Sequence, residues 1–198
     1  MSGMNQYGNT VLRWWQGMFE DSATLKAKGI PPAPTSHKAQ LKRCDSADAV
    51  MLQEGFRMLW LELLNQGLED VPQNLEAWAT VAAVLVHIKQ DNGEKLAAQA
   101  GKKVNKHGEP ADKSIVSELR FAKLQNAPTP DDFLKRIRRI VLQLDGKASP
   151  TKVADDILQW FDEFYAWSPR KADKRISVRW AMDYYQAANQ KYSKSKTA

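Results

Sequence analysis

Phe133-Leu-Lys-Arg-Ile-Arg-Arg-Ile-Val-Leu-Gln-Leu144 repeats its apolar residues at three- and four-residue steps. An α-helix gathers Phe133, Ile137, Ile140, Val141 and Leu144 of this stretch on one face. At about 100° per residue, Lys135, Arg136 and Arg139 fall on the opposite side, with Arg138 on one flank. Thr129-Pro130-Asp131-Asp132 predicts the start: a hydroxyl cap, proline in the first turn, then acids against the helix dipole. Asp145-Gly146 predicts the stop. One face of this helix suits a core and the other carries cations. Two readings of that second face stand: a solvated surface, or a surface for phosphate.

The same helical texture extends outward in both directions. Trp14-Trp15 lies in an amphipathic segment from Gln6 to Glu20, and both rings pack only if that helix is wedged between two neighbours. Gly29-Ile-Pro-Pro-Ala-Pro34 predicts a stiff, extended linker. A short basic helix follows over Ser36–Cys44 with Ser36 as its cap, and Ser46 opens a long helix running to about Gln66 and closed by Asn65-Gln66-Gly67. Ala79–Val86 is apolar nearly all round. Its length and alanines favour a central helix, spanning about Asn74 to Gln90, over a buried strand.

Glycines and lysines then punctuate residues 93–113, predicting a long, mobile basic loop with one short helix near Glu94–Gln99. Helices are expected over Ser114–Leu124, over the stretch quoted first, from Ser149-Pro150 to Trp167, and over Pro169–Tyr192, leaving a frayed polar tail from Ser193 to Ala198. The expected fold class is all-α: two small helical bundles, residues 1–92 and 114–198, joined by the basic loop 93–113.

Charge is segregated along the 198 residues, whose formal net charge is +6. Five cations and no acid lie between Ala23 and Arg43, whereas Asp45–Glu94 holds nine acids against Arg57 and Lys89. From Ser168 onward eight cations face two acids. An anionic partner is therefore plausible on charge alone. One cysteine, Cys44, excludes an internal disulfide and a cysteine-rich zinc site. No apolar run approaches the ~20 residues of a membrane span. The segment Met1–Tyr7 lacks a signal-peptide core. A soluble cytoplasmic protein with no membrane contact is expected.

Catalytic arrangements are not visible. His37, His87 and His107 are scattered and none pairs with a carboxylate at metal-ligand spacing. His87 is expected as a satisfied core residue, and His37 as a cap or phosphate contact. Cys44 follows Lys42-Arg43, which could lower its pKa, but no base is placed beside it. Asp155-Asp156 and Asp162-Glu163 could serve a metal-dependent nuclease only by converging, and read otherwise as the wet edge and dipole partners of their helix. Gly101-Lys-Lys103 lacks the spacing of a phosphate loop. No cofactor and no metal is expected.

Binding remains. The clusters Lys38/Lys42/Arg43, Arg120/Lys123, Lys135/Arg136/Arg138/Arg139 and Arg170/Lys171/Lys174/Arg175/Arg179 each share a helix face or turn. If they converge they form a groove for a nucleic-acid backbone, with no element for reading bases. A small helical DNA-binding regulator would need a recognition helix, and no such signature appears. An adaptor for an acidic protein could use the same cations.

Six short motifs in order carry a resemblance: Trp14-Trp15; Leu41-Lys-Arg-Cys44; Ser117-Glu-Leu-Arg-Phe121 with Lys123-Leu124; Leu134 with Arg138-Arg139; Trp160; and Arg179-Trp-Ala-Met-Asp-Tyr-Tyr185. Together they resemble the CasB family, small subunit of the type I-E CRISPR surveillance complex, Cascade. The resemblance implies a non-catalytic protein of two helical bundles that helps hold an R-loop open. It implies contacts with guide RNA and target DNA, as hybrid and displaced strand. It further implies contacts with CasC backbone subunits, with the CasA large subunit, and with a second copy of itself in a head-to-tail pair. Carried onto matching positions, it makes Lys42, Arg43, Arg120, Arg138 and Arg139 the foremost nucleic-acid contacts, with Lys38, Lys123, Lys135, Arg136, Arg175 and Arg179 beside them. Trp14, Trp15, Phe121, Trp160, Trp180 and Tyr184 become core. Lys42 stands where that family more often has arginine, and Gln125 replaces a usual leucine, which leaves that helix end more exposed. The linker 31–34 and the loop 93–113 look longer than typical.

Overall fold

In the computed structural model, residues 6–66, 74–105, 107–166 and 168–190 are described. The chain start Met1–Asn5, Gly67, Lys106, Trp167, Tyr192 and the tail Ser193–Ala198 lie outside them. Eleven α-helices and one short 3₁₀ turn make up the regular structure of the described residues, and only two isolated bridges have β geometry. The fold is all-α.

The first three helices and the linker wrap one side of the core. α1 (Gln6–Phe19) is held as the tandem tryptophans predict. Trp14 Nε1 donates to Gly55 O at 2.8 Å and Trp15 Nε1 to Ile88 O at 3.0 Å, so the two rings reach two different neighbours. α2 (Ser22–Lys28) is a helix the apolar pattern does not announce. Its signals are local: Asp21 accepts from the Ala23 and Thr24 amides, and Gly29 closes the helix at φ +60°. The proline linker is extended and lies tight on α1, where Ala33 N donates to Gly17 O at 2.8 Å. A Cβ at Gly17 would sit 3.1 Å from Pro31 O. α3 (Thr35–Arg43) starts two residues earlier than a Ser36 cap predicts, with Pro34 at the cap position and no side-chain cap bond. Ser36 therefore lies inside the first turn.

The single long helix expected after Ser46 is broken in two. α4 (Ala47–Met51) ends at Leu52, and Gln53 turns extended before α5 (Glu54–Asn65). Tertiary packing places the break. Gly55 faces His37 and Leu41, whose atoms would lie 3.0 Å from an added Cβ, and its carbonyl is the acceptor for Trp14. A helix uninterrupted from Ser46 would not deliver that glycine to α3.

α6 (Leu75–Leu85) is the centre of the molecule, a helix as its alanines suggest, and Asn74 caps it by accepting from Ala77 N. Every residue from Ala77 to Leu85 is buried, and α4, α9 and α10 pack around it. The short helix expected near Glu94–Gln99 is present two residues later as α7 (Leu96–Gly101), and it is no mobile element: Leu96, Ala97 and Ala100 are fully buried against α11. Beyond it, residues 103–105 pair back with residues 109–111, Asn105 N donating to Glu109 O and Ala111 N to Lys103 O. Ile115 and Val116 then run beside α7, bonding to the Lys102 and Ala100 carbonyls. They delay α8 to Glu118–Gln125, four residues after the predicted start.

α9 (Pro130–Gln143) follows the sequence closely: Thr129 accepts from Asp132 N, and Asp145 and Gly146 turn the chain at φ +56° and +75°. α10 (Pro150–Tyr165) and α11 (Ile176–Asn189) complete the fold, separated by the 3₁₀ turn Ala172–Lys174. Phe133 of α9 stacks on Trp160 with centroids 4.0 Å apart, and Phe121 of α8 stacks on Tyr184 at 4.7 Å. Trp15, Phe121, Trp160, Trp180 and Tyr184 are all buried, and Trp14 packs partly buried against the same core. One hydrophobic cluster runs from Val11 through α6 to Tyr184.

Two acids expected at the wet edge of α10 are not wet. Asp156 is buried and accepts from Trp180 Nε1 at 2.8 Å, while burial pushes its carboxyl up to about 6. Asp155, beside it, is also pushed up to about 6, chiefly by burial. A carboxyl whose folded pKa is raised favours its neutral form, so its contribution to stability is full below the unfolded value near 4 and is lost as pH rises through about 6. Asp156→Asn keeps an acceptor for Trp180 and removes the charge. It is expected to raise stability at pH 7.5 by about 1–3 kcal/mol, and to flatten the fall in melting temperature between about pH 4 and 6. Urea and thermal melts across that range measure both.

Candidate nucleic-acid interface

α9 is fastened on both flanks by two of its own arginines. On one flank, Arg138 Nε donates to Ala83 O at 3.0 Å and its Nη1 to Cys44 O at 2.5 Å. Ala83 lies in the last turn of α6 and Cys44 caps α3, so one guanidinium satisfies two carbonyls at helix C-termini, where the dipoles also favour a cation. Burial pulls the pKa of Arg138 down, which marks a guanidinium drawn out of water. On the other flank, Arg136 donates to Lys123 O at the end of α8 at 2.5 Å. Further along α9, Gln143 accepts from Arg120 and donates to Ile115 O at 2.6 Å.

Between these flanks lies the outward strip of α9. Lys135 and Arg139, four residues apart, are exposed there and make no side-chain hydrogen bond or ion pair among the described residues. Arg43 is likewise exposed and uncommitted, next in chain to the residue that receives Arg138. Lys123 is exposed on the α8 side, and Arg120 is exposed with one amide partner. Arg43 at the end of α3, Lys135 and Arg139 on α9, and Arg120 and Lys123 on α8 are thus exposed cations on three elements that Arg138 and Arg136 fasten together.

Other predicted residues are placed differently. Lys38 Nζ donates to Met18 O at 3.0 Å and lies 4.4 Å from the Phe19 ring centroid. Lys42 lies 5.8 Å from the same ring, and its ammonium pKa is lowered by partial burial and then by Lys38 and Lys89. Arg175 folds back onto Pro169 O, and Arg179 is engaged with Gln159 and Asp156 of α10. These bonds tie Arg175 to the turn before α11 and Arg179 to α10. Gln125, expected at an exposed helix end, ties α8 to α11 through Ser177 O at 2.8 Å.

The remaining chemical candidates resolve by burial. His37 is 4% exposed, 3.5 Å from Glu54, so it neither caps α3 nor faces an outside phosphate. His87 is not satisfied: Nε2 is buried without a hydrogen bond, and burial with the Arg138 and Lys42 charges pushes its pKa down to about 4. The Cys44 thiol donates to Gln40 O, and burial raises its pKa rather than lowering it. Among the described residues no group of three or more metal-ligating side chains assembles, and no helix is long and apolar enough to cross a membrane.

Fold and surface together define a class: a small all-helical protein with exposed cations on a helix anchored to its neighbours. Residues 37–185, well over half of the chain, match the family described as CRISPR-associated protein Cse2, and the chain belongs to that family. It is thus a small subunit of the type I-E CRISPR complex, Cascade, the CasB family of the motif resemblance. Comparison with curated proteins and with solved structures gives no match.

Proposed function

We propose that this Cascade subunit stabilises the R-loop by sequence-independent contacts of its cations with the displaced non-target strand and the guide RNA–target DNA hybrid. In this reading it is non-catalytic, acts in the cytoplasm, and works beside CasC backbone subunits, the CasA large subunit and a second, head-to-tail copy of itself. One observation carries the reading: Arg43, Lys135 and Arg139 are exposed without partners among the described residues, on elements whose positions are locked by Arg138 and Arg136. Unpaired cations on a fixed helix can neutralise phosphates without first breaking ion pairs. R-loop formation nearly balances the DNA duplex that opens against the hybrid that forms, so a few such contacts shift its lifetime.

Lys135→Gln combined with Arg139→Gln tests this. The pair removes two charges and no internal bond, so the melting temperature is expected to stay within about 2 °C of the parent, since surface changes seldom exceed about 0.5 kcal/mol. Affinity for single-stranded DNA is expected to fall, and the slope of log affinity against log salt to lessen by about 1.4, at roughly 0.7 for each phosphate no longer neutralised. R-loop lifetime in the assembled complex is expected to shorten. An unchanged slope and lifetime would exclude these residues from the interface.

A further inference from the structure

Met58, Leu61 and Leu64 turn outward from α5, each more than half exposed. Spaced three residues apart, each neighbours the next along the helix. The solvent side of a surface helix is ordinarily polar, so this stripe marks a surface that meets another protein. Met58 also reaches a groove. α1, the proline linker and α5 enclose a volume of about 270 Å³, with Trp14, Met18, Pro31, Pro32 and Met58 in its lining. That is below the roughly 300–1,000 Å³ of small-ligand pockets, and it suits one protruding side chain. The groove is preformed: Ala33 N donates to Gly17 O and holds the linker on α1, while Trp14 is fixed by its bond to Gly55 O. A receptor already in place loses little freedom on binding.

Charge narrows what can fill it. Glu54, Met58 and Glu62 follow one another at four-residue steps, so they stand in one row along α5, and all three are exposed. Glu62 lines the groove. Neither acid is in an ion pair with a lysine or arginine among the described residues: Glu54 lies 3.5 Å from His37, and Glu62 accepts from the Gln66 amide at 3.4 Å. Arg13, also in the lining, directs its guanidinium to Gly29 O at 3.0 Å, and Arg57 directs its own to Leu52 O at 2.8 Å. The complement to this row is an apolar side chain with a cation one helical turn away on each side. No apolar residue among the 198 has a lysine or arginine four residues before it and another four residues after it. A second copy of this chain therefore does not supply the complement on a helix.

We infer that the groove docks a basic amphipathic helix of another protein, one apolar side chain entering beside Met58 and its flanking cations pairing with Glu54 and Glu62. The stripe over Leu61 and Leu64 extends the contact beyond the groove. The inference stands apart from the R-loop reading, because none of the cations which that reading uses lines the groove.

The test uses the full chain and a synthetic helical peptide of alanine and glutamine that carries one leucine with a lysine four residues to either side. The parent is expected to bind it, more weakly as salt rises, since the ion pairs lie at the surface. Replacing the peptide's leucine by alanine is expected to cost about tenfold or more in affinity. Glu54→Gln combined with Glu62→Gln is expected to cost about fivefold. Met58→Arg, which fills the groove mouth and repels the lysines, is expected to abolish binding. Melting curves establish that each variant is folded, and the glutamine pair with the two peptides carries the test if Met58→Arg is not. No binding by the parent at low salt, equal binding of the leucine and alanine peptides, or folded variants that bind as the parent does overturns the inference. So does sedimentation showing that the free chain pairs with itself and that Met58→Arg dissolves the pair, which would give the groove to a second copy.

Discussion

Replacing Arg138 with alanine is expected to lower the stability of this protein by about 3 kcal/mol, and its melting temperature by about 6–12 °C. Two charge-assisted hydrogen bonds disappear, to Ala83 O and to Cys44 O. Each carbonyl is an orphan of a helix end, so neither has an intrahelical donor to fall back on. Arg138→Lys keeps the charge but has one compact ammonium where the guanidinium spans two acceptors, and is expected to recover less than half of the stability. Arg138→Met, which restores the aliphatic stem, separates packing from hydrogen bonding. Thermal and urea unfolding of the three variants measure these differences. By contrast with the Lys135/Arg139 pair, DNA affinity in Arg138 variants is expected to fall only as the folded fraction falls or as α9 loosens.

Gly101→Ala is expected to be as severe. An added Cβ would lie 2.1 Å from Tyr184 O and 2.9 Å from Tyr184 C, both backbone atoms of α11 that cannot rotate aside. Either α7 or α11 must retreat, opening the packing of Leu96, Ala97 and Ala100. Overpacking of this kind costs about 3 kcal/mol. Slower-exchanging amides of α7 and α11 in the parent are expected to lose protection together in the variant, because the two helices meet at that glycine. Substituting Gly8, with nothing within 4 Å of its added Cβ, serves as the control and is expected to change stability little.

Periodicity exposes those parts of the fold in which one helix meets one core. α9 is the clearest case: its cap, proline, first-turn acids, apolar face and stop all agree, and the structure follows them. α6 is central because little along it is polar enough to face water. Pattern fails where a neighbour distant in sequence overrides local preference. The break between α4 and α5 depends on Gly55 meeting His37 and Leu41, and no feature of Ser46–Gln66 announces that meeting. α2 is short enough for its caps to outweigh its pattern, and Asp21 with Gly29 are the available signal. α7 is legible as a short helix near Glu94–Gln99, but the glycines and lysines around it conceal that its apolar residues are buried against α11.

For the candidate site the division is similar. Sequence groups cations by helix face, and Lys135 and Arg139 do share the exposed face that their spacing assigns them. Spacing does not separate a cation that reaches outward from one that reaches for a neighbouring helix end. Arg138 and Arg139 are adjacent and chemically alike, yet one lies against two carbonyls and the other is exposed and uncommitted. Flank position is the usable hint. Measured from Ile137 in the middle of the buried face, Arg138 sits about 100° round, at the border, whereas Arg139 lies about 160° away.

On the proposed reading, the bolting of α9 to α3, α6 and α8 also bears on how a captured strand would leave. Tension applied at Arg139 is shared at once with the Arg138 and Arg136 anchors, and through them with the interior. With α9 anchored on both flanks, that reading has a strand depart by each cation letting go in turn, which would make residence time a property of the charges and of the surrounding ions.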